Sequence, residues 1–402
     1  MFSPRATRLA AIAAVAALAV ACGGDDGTTS APTTAADADG GSSSSTAPPD
    51  SSVSSSTTPS SDTTAPGDPT STTASGQGAV VPTGTPSDVV TGLDAPWSVA
   101  VAGDAVLISE RDSADVLELL DDGTTRPVGT VDGVSARGEG GLLGLAVGDD
   151  GGLFVYSTAG DGNRIERYEL TGEAGGLGLG ESTTIIDGLP ANVFHNGGRI
   201  ALGPDGMLYA SVGDAGTADA AQDLDSLAGK ILRMTPDGEV PDDNPFAGSF
   251  VYSYGHRNVQ GLDWGSDGTM YASEFGDNTW DELNVIEAGR NYGWPIVEGI
   301  GEESDELVNP VQQWTTSEAS PSGLAVVGET IFIANLRGEV LRSIPTADPS
   351  SAEEHFAGEY GRLRTVLGGP DGTLWFVTNN TDGRGQPSEG DDRILSVELA
   401  AP

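Results

Sequence analysis

The chain has 402 residues, with 18 Lys and Arg against 60 Asp and Glu, a formal charge of −42 that excludes binding to nucleic-acid backbones. Its single lysine, Lys230, removes most lysine-based covalent chemistry, and its single cysteine, Cys22, excludes internal disulfides and cysteine metal sites. The 58 glycines are about twice the usual ~7% share, which favours a turn-rich β architecture.

Arg5 and Arg8 precede an apolar run, Leu9 to Ala21, that is too short to span a bilayer and suits a signal-peptide core. Leu18-Ala-Val-Ala-Cys22 resembles a bacterial lipobox, in which the cysteine is lipidated and becomes the first mature residue. Residues 1–22 are thus expected to be a lipoprotein signal peptide, with Cys22 anchoring an extracytoplasmic protein to the bacterial cell membrane. From Gly23 to Ala79 the only member of the set Val, Ile, Leu, Met, Phe, Trp and Tyr is Val53. Such a segment buries too little apolar surface to offset its ordering entropy, so residues 23–80 read as a disordered Ser/Thr/Pro/Gly-rich tether. A flexible coil of that length spans about 40 Å, enough to hold a domain clear of a membrane surface.

Residues 81–402 repeat one pattern six times: an apolar strand, a turn centred on an acid, and a second strand ending in an apolar pair. The turn acids are Asp104, Asp150, Asp205, Asp267, Glu329 and Asp371, and Asp-Gly between apolar alternations is a strong hairpin signal. Their mean spacing suits a four-stranded unit of about 54 residues, and one hairpin has no buried face until neighbours stack on it. The expected fold is all-β, a six-bladed β-propeller of four-stranded antiparallel blades. No glycine fingerprint for nucleotides or phosphate loop is present.

If each acid marks the same turn, residues nine to eleven positions earlier lie at the opposite end of the blade. They include Glu139, His195, Arg257 with Asn258, and Arg362. The returning strands bring Arg111, Asp214, Gly276-Asp277, Arg337 and Asn380 to that end as well. A histidine facing a funnel suits proton abstraction from an alcohol near neutral pH, although a buried structural role fits a single histidine too. Arg257, Arg337, Arg362 and Arg364 gathered at one mouth of an acidic protein imply a compact polyanionic ligand, unless each pairs with a neighbouring acid. The stretch from Glu274 to Asn284 is dense in oxygen ligands and reads equally as a calcium site or a solvated acidic loop. Trp97 and Trp314 precede blade strands and fit either sugar stacking or blade packing.

Gly138-Glu139-Gly-Gly-Leu-Leu143, His195-Asn-Gly-Gly-Arg199, Tyr254-Gly-His-Arg257-Asn258-Val-Gln-Gly261, Asp281-Glu282-Leu-Asn284 and Gly289-Arg-Asn-Tyr-Gly-Trp294-Pro occur along the chain. Together these segments resemble the soluble PQQ-dependent glucose/sorbosone dehydrogenases, especially the aldose sugar dehydrogenase branch. The resemblance covers nearly all of residues 84–399. It implies PQQ and calcium as cofactors, an aldose sugar as substrate, His195 as the base for the C1 hydroxyl, and Arg257 with Asn258 at the quinone oxygens. It also places Arg337, Arg362 and Arg364 on the cofactor, the carbonyls of Gly276 and Asp277 on its calcium, and Glu282 with the Tyr292 carbonyl on a second calcium. Trp314 is the expected substrate-stacking residue. Two positions depart from the family pattern: Glu139 stands for a glutamine that touches PQQ, and Phe194 replaces an aspartate of the glucose enzyme.

With no haem-attachment motif, electrons would leave to an external acceptor, a quinone, cytochrome or dye. Two alternatives remain at this stage. One is a calcium-dependent lactonase, which needs acidic metal ligands at the funnel; the other is a non-catalytic surface propeller that binds carbohydrate or protein.

Overall fold

The computed structural model describes residues 78–402, so the signal peptide, Cys22 and nearly all of the expected tether lie outside the described residues. β1 (Val81–Thr91) leads into the first blade, formed by β2 (Pro96–Ala102), β3 (Ala105–Glu110), β4 (Asp115–Leu119) and β5 (Thr125–Thr130). The second blade holds β6 (Leu142–Val147), β7 (Leu153–Thr158), β8 (Asn163–Thr171) and β9 (Gly178–Leu189). The third holds β10 (Ile200–Leu202), β11 (Leu208–Val212), β12 (Lys230–Met234) and β13 (Val251–Tyr254). The fourth has β14 (Val259–Trp264), β15 (Met270–Glu274), β16 (Trp280–Ile286) and β17 (Gln312–Thr315). The fifth has β18 (Pro321–Val327), β19 (Thr330–Asn335), β20 (Val340–Pro345) and β21 (Glu353–His355). β22 (Leu363–Gly368), β23 (Leu374–Thr378) and β24 (Arg393–Ala400) make the last blade, whose fourth strand is β1. The protein is the six-bladed β-propeller that the turn spacing predicts.

Each of the six acid-centred turns joins the first and second strands of a blade. Asp150, Asp205, Asp267 and Asp371 each accept a hydrogen bond from the amide two residues on, at 2.9–3.1 Å. This Asx-type turn fixes the local chain reversal and accounts for the repeated acid. Second strands are buried along their whole length in β7, β11, β19 and β23, because each is sandwiched between its own blade and the next. The apolar core accordingly runs between blades: Leu143, Phe154 and Tyr156 of the second pack with Leu208, Ala210 and Leu232 of the third.

Antiparallel pairing of β1 with β24, from Val81 opposite Ala400 to Thr91 opposite Arg393, closes the ring. Six hairpins do not reveal which segment supplies the last strand, and this pairing is not legible in their spacing. With the turns at one end, the loops that carry His195, Asp214, Arg257 and Arg362 all open at the other.

Candidate active site

His195 lies in the approach to β10, with its backbone in the left-handed region at φ 56°. Two contacts hold this strained conformation. Its amide donates to Glu139 Oε2 at 2.9 Å, and its Nδ1 meets Asp214 Oδ1, just beyond β11, at 2.7 Å. Gly213 must be glycine here, since a Cβ would stand 2.0 Å from the His195 carbonyl oxygen. Asp214 is buried, and it also accepts from the Gly216 amide at 2.8 Å and Trp294 Nε1 at 2.9 Å. Burial raises the pKa of its carboxyl, but the hydrogen bonds from His195 and Gly216 outweigh that and hold it below its ordinary value. An ionised Asp214 accepts a hydrogen bond from the Nδ1–H of His195, which keeps the ring proton on Nδ1 and leaves Nε2, which makes no hydrogen bond among the described residues, as the nitrogen with a free lone pair. The Phe194 ring stands edge-on to the imidazole with centroids 4.7 Å apart.

Glu139 is not a bare carboxylate facing an anionic ligand. Arg384, in the loop between β23 and β24, pairs with it at 2.9 Å. Burial pushes Glu139 up, yet the His195 amide and Arg384 together keep it below its usual range. Its place is beneath the base, supporting the His195 backbone.

Arg257 and Asn258 precede β14. Arg257 pairs with Asp277 at 2.9 Å and lies over the Trp294 ring at 5.4 Å, while its buried Nε has no partner. Asn258 is fully buried; Oδ1 accepts from the Gly197 amide at 3.0 Å, and Nδ2 is left without a partner. Arg362 pairs with Asp382 at 2.9 Å and likewise keeps a buried, unpartnered Nε. Buried polar atoms are normally satisfied, so these orphaned donors on three residues fit an absent oxygen-rich ligand. Arg364 sits deeper, with its donors committed to Asn379, Gln260 and Ser322. Arg337 is exposed and donates to the Thr316 carbonyl at 3.3 Å.

The expected metal positions offer hard oxygen ligands mainly through backbone carbonyls, with Glu282 as the carboxylate among them. Amides of residues 277–280 converge on Glu298 Oε1, whereas the carbonyls of Gly276 and Asp277 accept no hydrogen bond from the described residues. A Cβ on Gly276 would approach the Trp280 carbonyl oxygen to 1.7 Å, so the turn demands glycine. Glu282 is buried and accepts from Asn284 Nδ2 at 3.0 Å and the Gly299 amide at 2.7 Å. Asn284 Oδ1 nearby is buried without a partner, and Tyr292 stacks on the buried His256 at 4.7 Å with its carbonyl unused among the described residues. No group of three or more His, Cys, Asp or Glu side chains among the described residues is placed to hold a metal ion. Any calcium here would therefore draw largely on carbonyls, with at most one or two carboxylates.

Trp314 lies on β17, the outermost strand of the fourth blade, and packs under the Arg342 guanidinium at 5.0 Å. Trp97 is buried on the inner strand β2. Strand spacing places Asp214 at this rim without marking it as the partner of His195; Trp294 stands in the sequence only as part of a family motif, and nothing local marks Asp382 or Arg384. Those contacts join residues up to 245 positions apart, and no local pattern marks them.

Fold and site together define a six-bladed propeller that gathers a His195–Asp214 pair and several arginines at one end. A family model described as Glucose / Sorbosone dehydrogenase matches residues 93–387, and the chain belongs to that family. It is similar to the aldose sugar dehydrogenase YliI of Escherichia coli, 31% identical over 306 residues, covering 65% of this chain and 80% of that one. Among solved structures it resembles the PQQ-bound aldose sugar dehydrogenase of Streptomyces coelicolor. The two are 48% identical with a TM-score of 0.74, covering 80% of this chain and 100% of that one. The apo-form soluble aldose sugar dehydrogenase of Escherichia coli matches at 26% identity and TM-score 0.68, covering 81% of this chain and 100% of that chain.

Burial, and then the neighbouring Glu274, push the Glu282 carboxyl up from 4.5 to about 8. Its folded-state pKa exceeds the unfolded value, so this group's contribution to stability should fall as pH rises from about 5 and be fully lost above about 8. Thermal denaturation of metal-free protein across that range should show the decline. Glu282→Gln should flatten it, and calcium at pH 8 should raise the wild-type midpoint by several degrees but not the variant's. Equal pH and calcium responses in the two proteins would refute this account.

Proposed function

We propose that the protein is a PQQ-dependent aldose dehydrogenase that oxidises the C1 hydroxyl of a sugar to the lactone. Electrons then pass to an external quinone, cytochrome or dye. The observation that carries this reading is the His195–Asp214 pair at the same end of the ring as the buried, unpartnered donors of Arg257, Asn258 and Arg362. Family membership and the 48% identity to a PQQ-bound relative support it.

Bound PQQ would supply the electrophilic carbonyl that accepts hydride, with calcium on the Gly276 and Asp277 carbonyls strengthening its electron withdrawal. Everything else falls to the chain. Nε2 of His195 takes the hydroxyl proton, and Asp214 stabilises the imidazolium that results. Glu139 holds the His195 backbone, and Trp294 holds the second oxygen of Asp214, so the base is fixed before substrate arrives. Arg257, Asn258, Arg362 and the more exposed Arg337 offer donors to an anionic cofactor, and Arg364 adds charge from below. Glu282 and the Tyr292 carbonyl would hold a second, structural calcium. The lactonase alternative needs acidic metal ligands at the funnel, and none gather among the described residues. Cys22, once lipidated, would anchor the domain outside the cytoplasm.

Titrating PQQ and calcium into the purified protein, then following dye reduction across a panel of aldoses, tests this function. Saturable binding with sugar-dependent reduction is expected, and absence of binding would favour a non-catalytic propeller. His195→Ala should abolish turnover while leaving PQQ affinity nearly intact, whereas Arg362→Ala should weaken PQQ binding several-fold. Cys22→Ala should move the protein from the membrane fraction to the soluble one; unchanged partition would remove the anchor.

A further inference from the structure

Arg199, which ends the His195-Asn-Gly-Gly-Arg199 segment, is a buried cation without a counter-charge. It is 8% exposed, and no carboxylate lies within ion-pair distance among the described residues. The other deeply buried arginines each have one: Arg111 with Asp112, Arg233 with Asp243, Arg342 with Glu354, and Arg362 and, at 3.8 Å, Arg364 with Asp382. Arg199 Nε donates to the Gln260 carbonyl at 2.8 Å and Nη1 reaches Ser98 Oγ at 3.4 Å, but Nη2 is buried with no partner.

The surrounding contacts place this group on the propeller axis. Arg199 enters the third blade, yet its guanidinium lies 4.3 Å from the Trp97 ring centroid of the first blade and bonds Gln260 of the fourth. Arg364, from the sixth blade, lies 5.9 Å from the same ring and donates to Gln260 Oε1 at 2.9 Å and Ser322 Oγ of the fifth at 3.3 Å. Bonds between blades that are not neighbours can only cross the central channel. Two guanidinium groups therefore share one indole there, and burial pushes the pKa of each down to about 9. A π-face attracts a cation but does not replace an opposite charge in a dry interior.

We propose that the axial cluster of Arg199, Ser98 and Trp97 binds a small monovalent anion of the chloride class, separate from the cofactor pocket. Arg199 Nη2 supplies one free donor. Ser98 supplies another: its oxygen accepts from the Leu145 amide at 3.2 Å and from Arg199, and its own proton has no acceptor among the described residues. Two donors and one uncompensated cation suit a spherical halide, while a tetrahedral oxyanion would need more donors than the close-packed inner strands offer. Water would satisfy the orphaned donor but leave the charge uncompensated. Arg364 keeps its own donors on protein groups and has Asp382 at 3.8 Å as counter-charge, so the uncompensated charge is that of Arg199.

The test uses the whole protein without PQQ, so it stands apart from the dehydrogenase reading. Thermal midpoints are measured in sodium chloride, bromide and methanesulfonate at matched ionic strength, and bromide-soaked crystals are examined for anomalous density. The expected results are a saturable rise of several degrees in chloride and bromide only, and a bromide peak between Arg199 and Ser98. Arg199→Met should abolish the halide-specific rise. Should that variant fail to fold, Ser98→Ala retains the cation and should weaken halide affinity several-fold. Equal midpoints in all three salts, or no bromide peak on the axis, would overturn the site. A bromide peak displaced by added PQQ would place the anion in the cofactor pocket and overturn it as well.

Discussion

Closure of the ring by β1 on β24 is the constraint on which the rest depends. An open array of six sheets would expose a long strand edge and leave the first and last blades without a neighbour. Once closed, every second strand is buried between two blades, and the loops at one end are forced towards a common axis. The pairing of Glu139, before the second blade, with Arg384, inside the sixth, depends directly on that geometry. So does the reach of Trp294 from the fourth blade to Asp214 at the end of β11.

The chain resolves its electrostatic conflict by giving its cations specific work. A protein of charge −42 would attract cations generally, yet its funnel must accept an anionic ligand if the proposed function holds. Arg257, Arg362 and Arg384 each hold an acid with part of the guanidinium; on Arg257 and Arg362 a buried donor is left over. Acids at the site are likewise committed. Asp214 serves His195, Glu139 serves the His195 backbone, and Glu298 gathers the amides of the 277–280 turn. An inward-facing carboxylate is thus turned from a repulsive charge into part of the support for the base.

Legibility followed the range of each interaction. The hairpin repeat was readable because in four of the six turns an Asp side chain acts within its own turn, two residues from the amide it binds. The rim positions of His195, Asp214, Arg257 and Arg362 were readable as well, since strand length fixes where a chain returns. What could not be read were the partners. The choice of Asp214 for His195 and of Arg384 for Glu139 arises from how blades are brought together, as does the pairing of β1 with β24. Trp314 belongs with them: its contact with the Arg342 guanidinium joins two blades, and its place in the repeat does not announce it.

The central claim is that Asp214 holds His195 in the tautomer and orientation that leave Nε2 basic at the mouth. Steady-state kinetics of Asp214→Asn with saturating PQQ and sugar test it most directly. The substituted amide keeps the shape but can present its N–H to Nδ1, reversing the tautomer, so kcat should fall by about 10²–10⁴-fold while PQQ affinity stays within about two-fold. An unchanged kcat would contradict the account and leave the pair as no more than structural support.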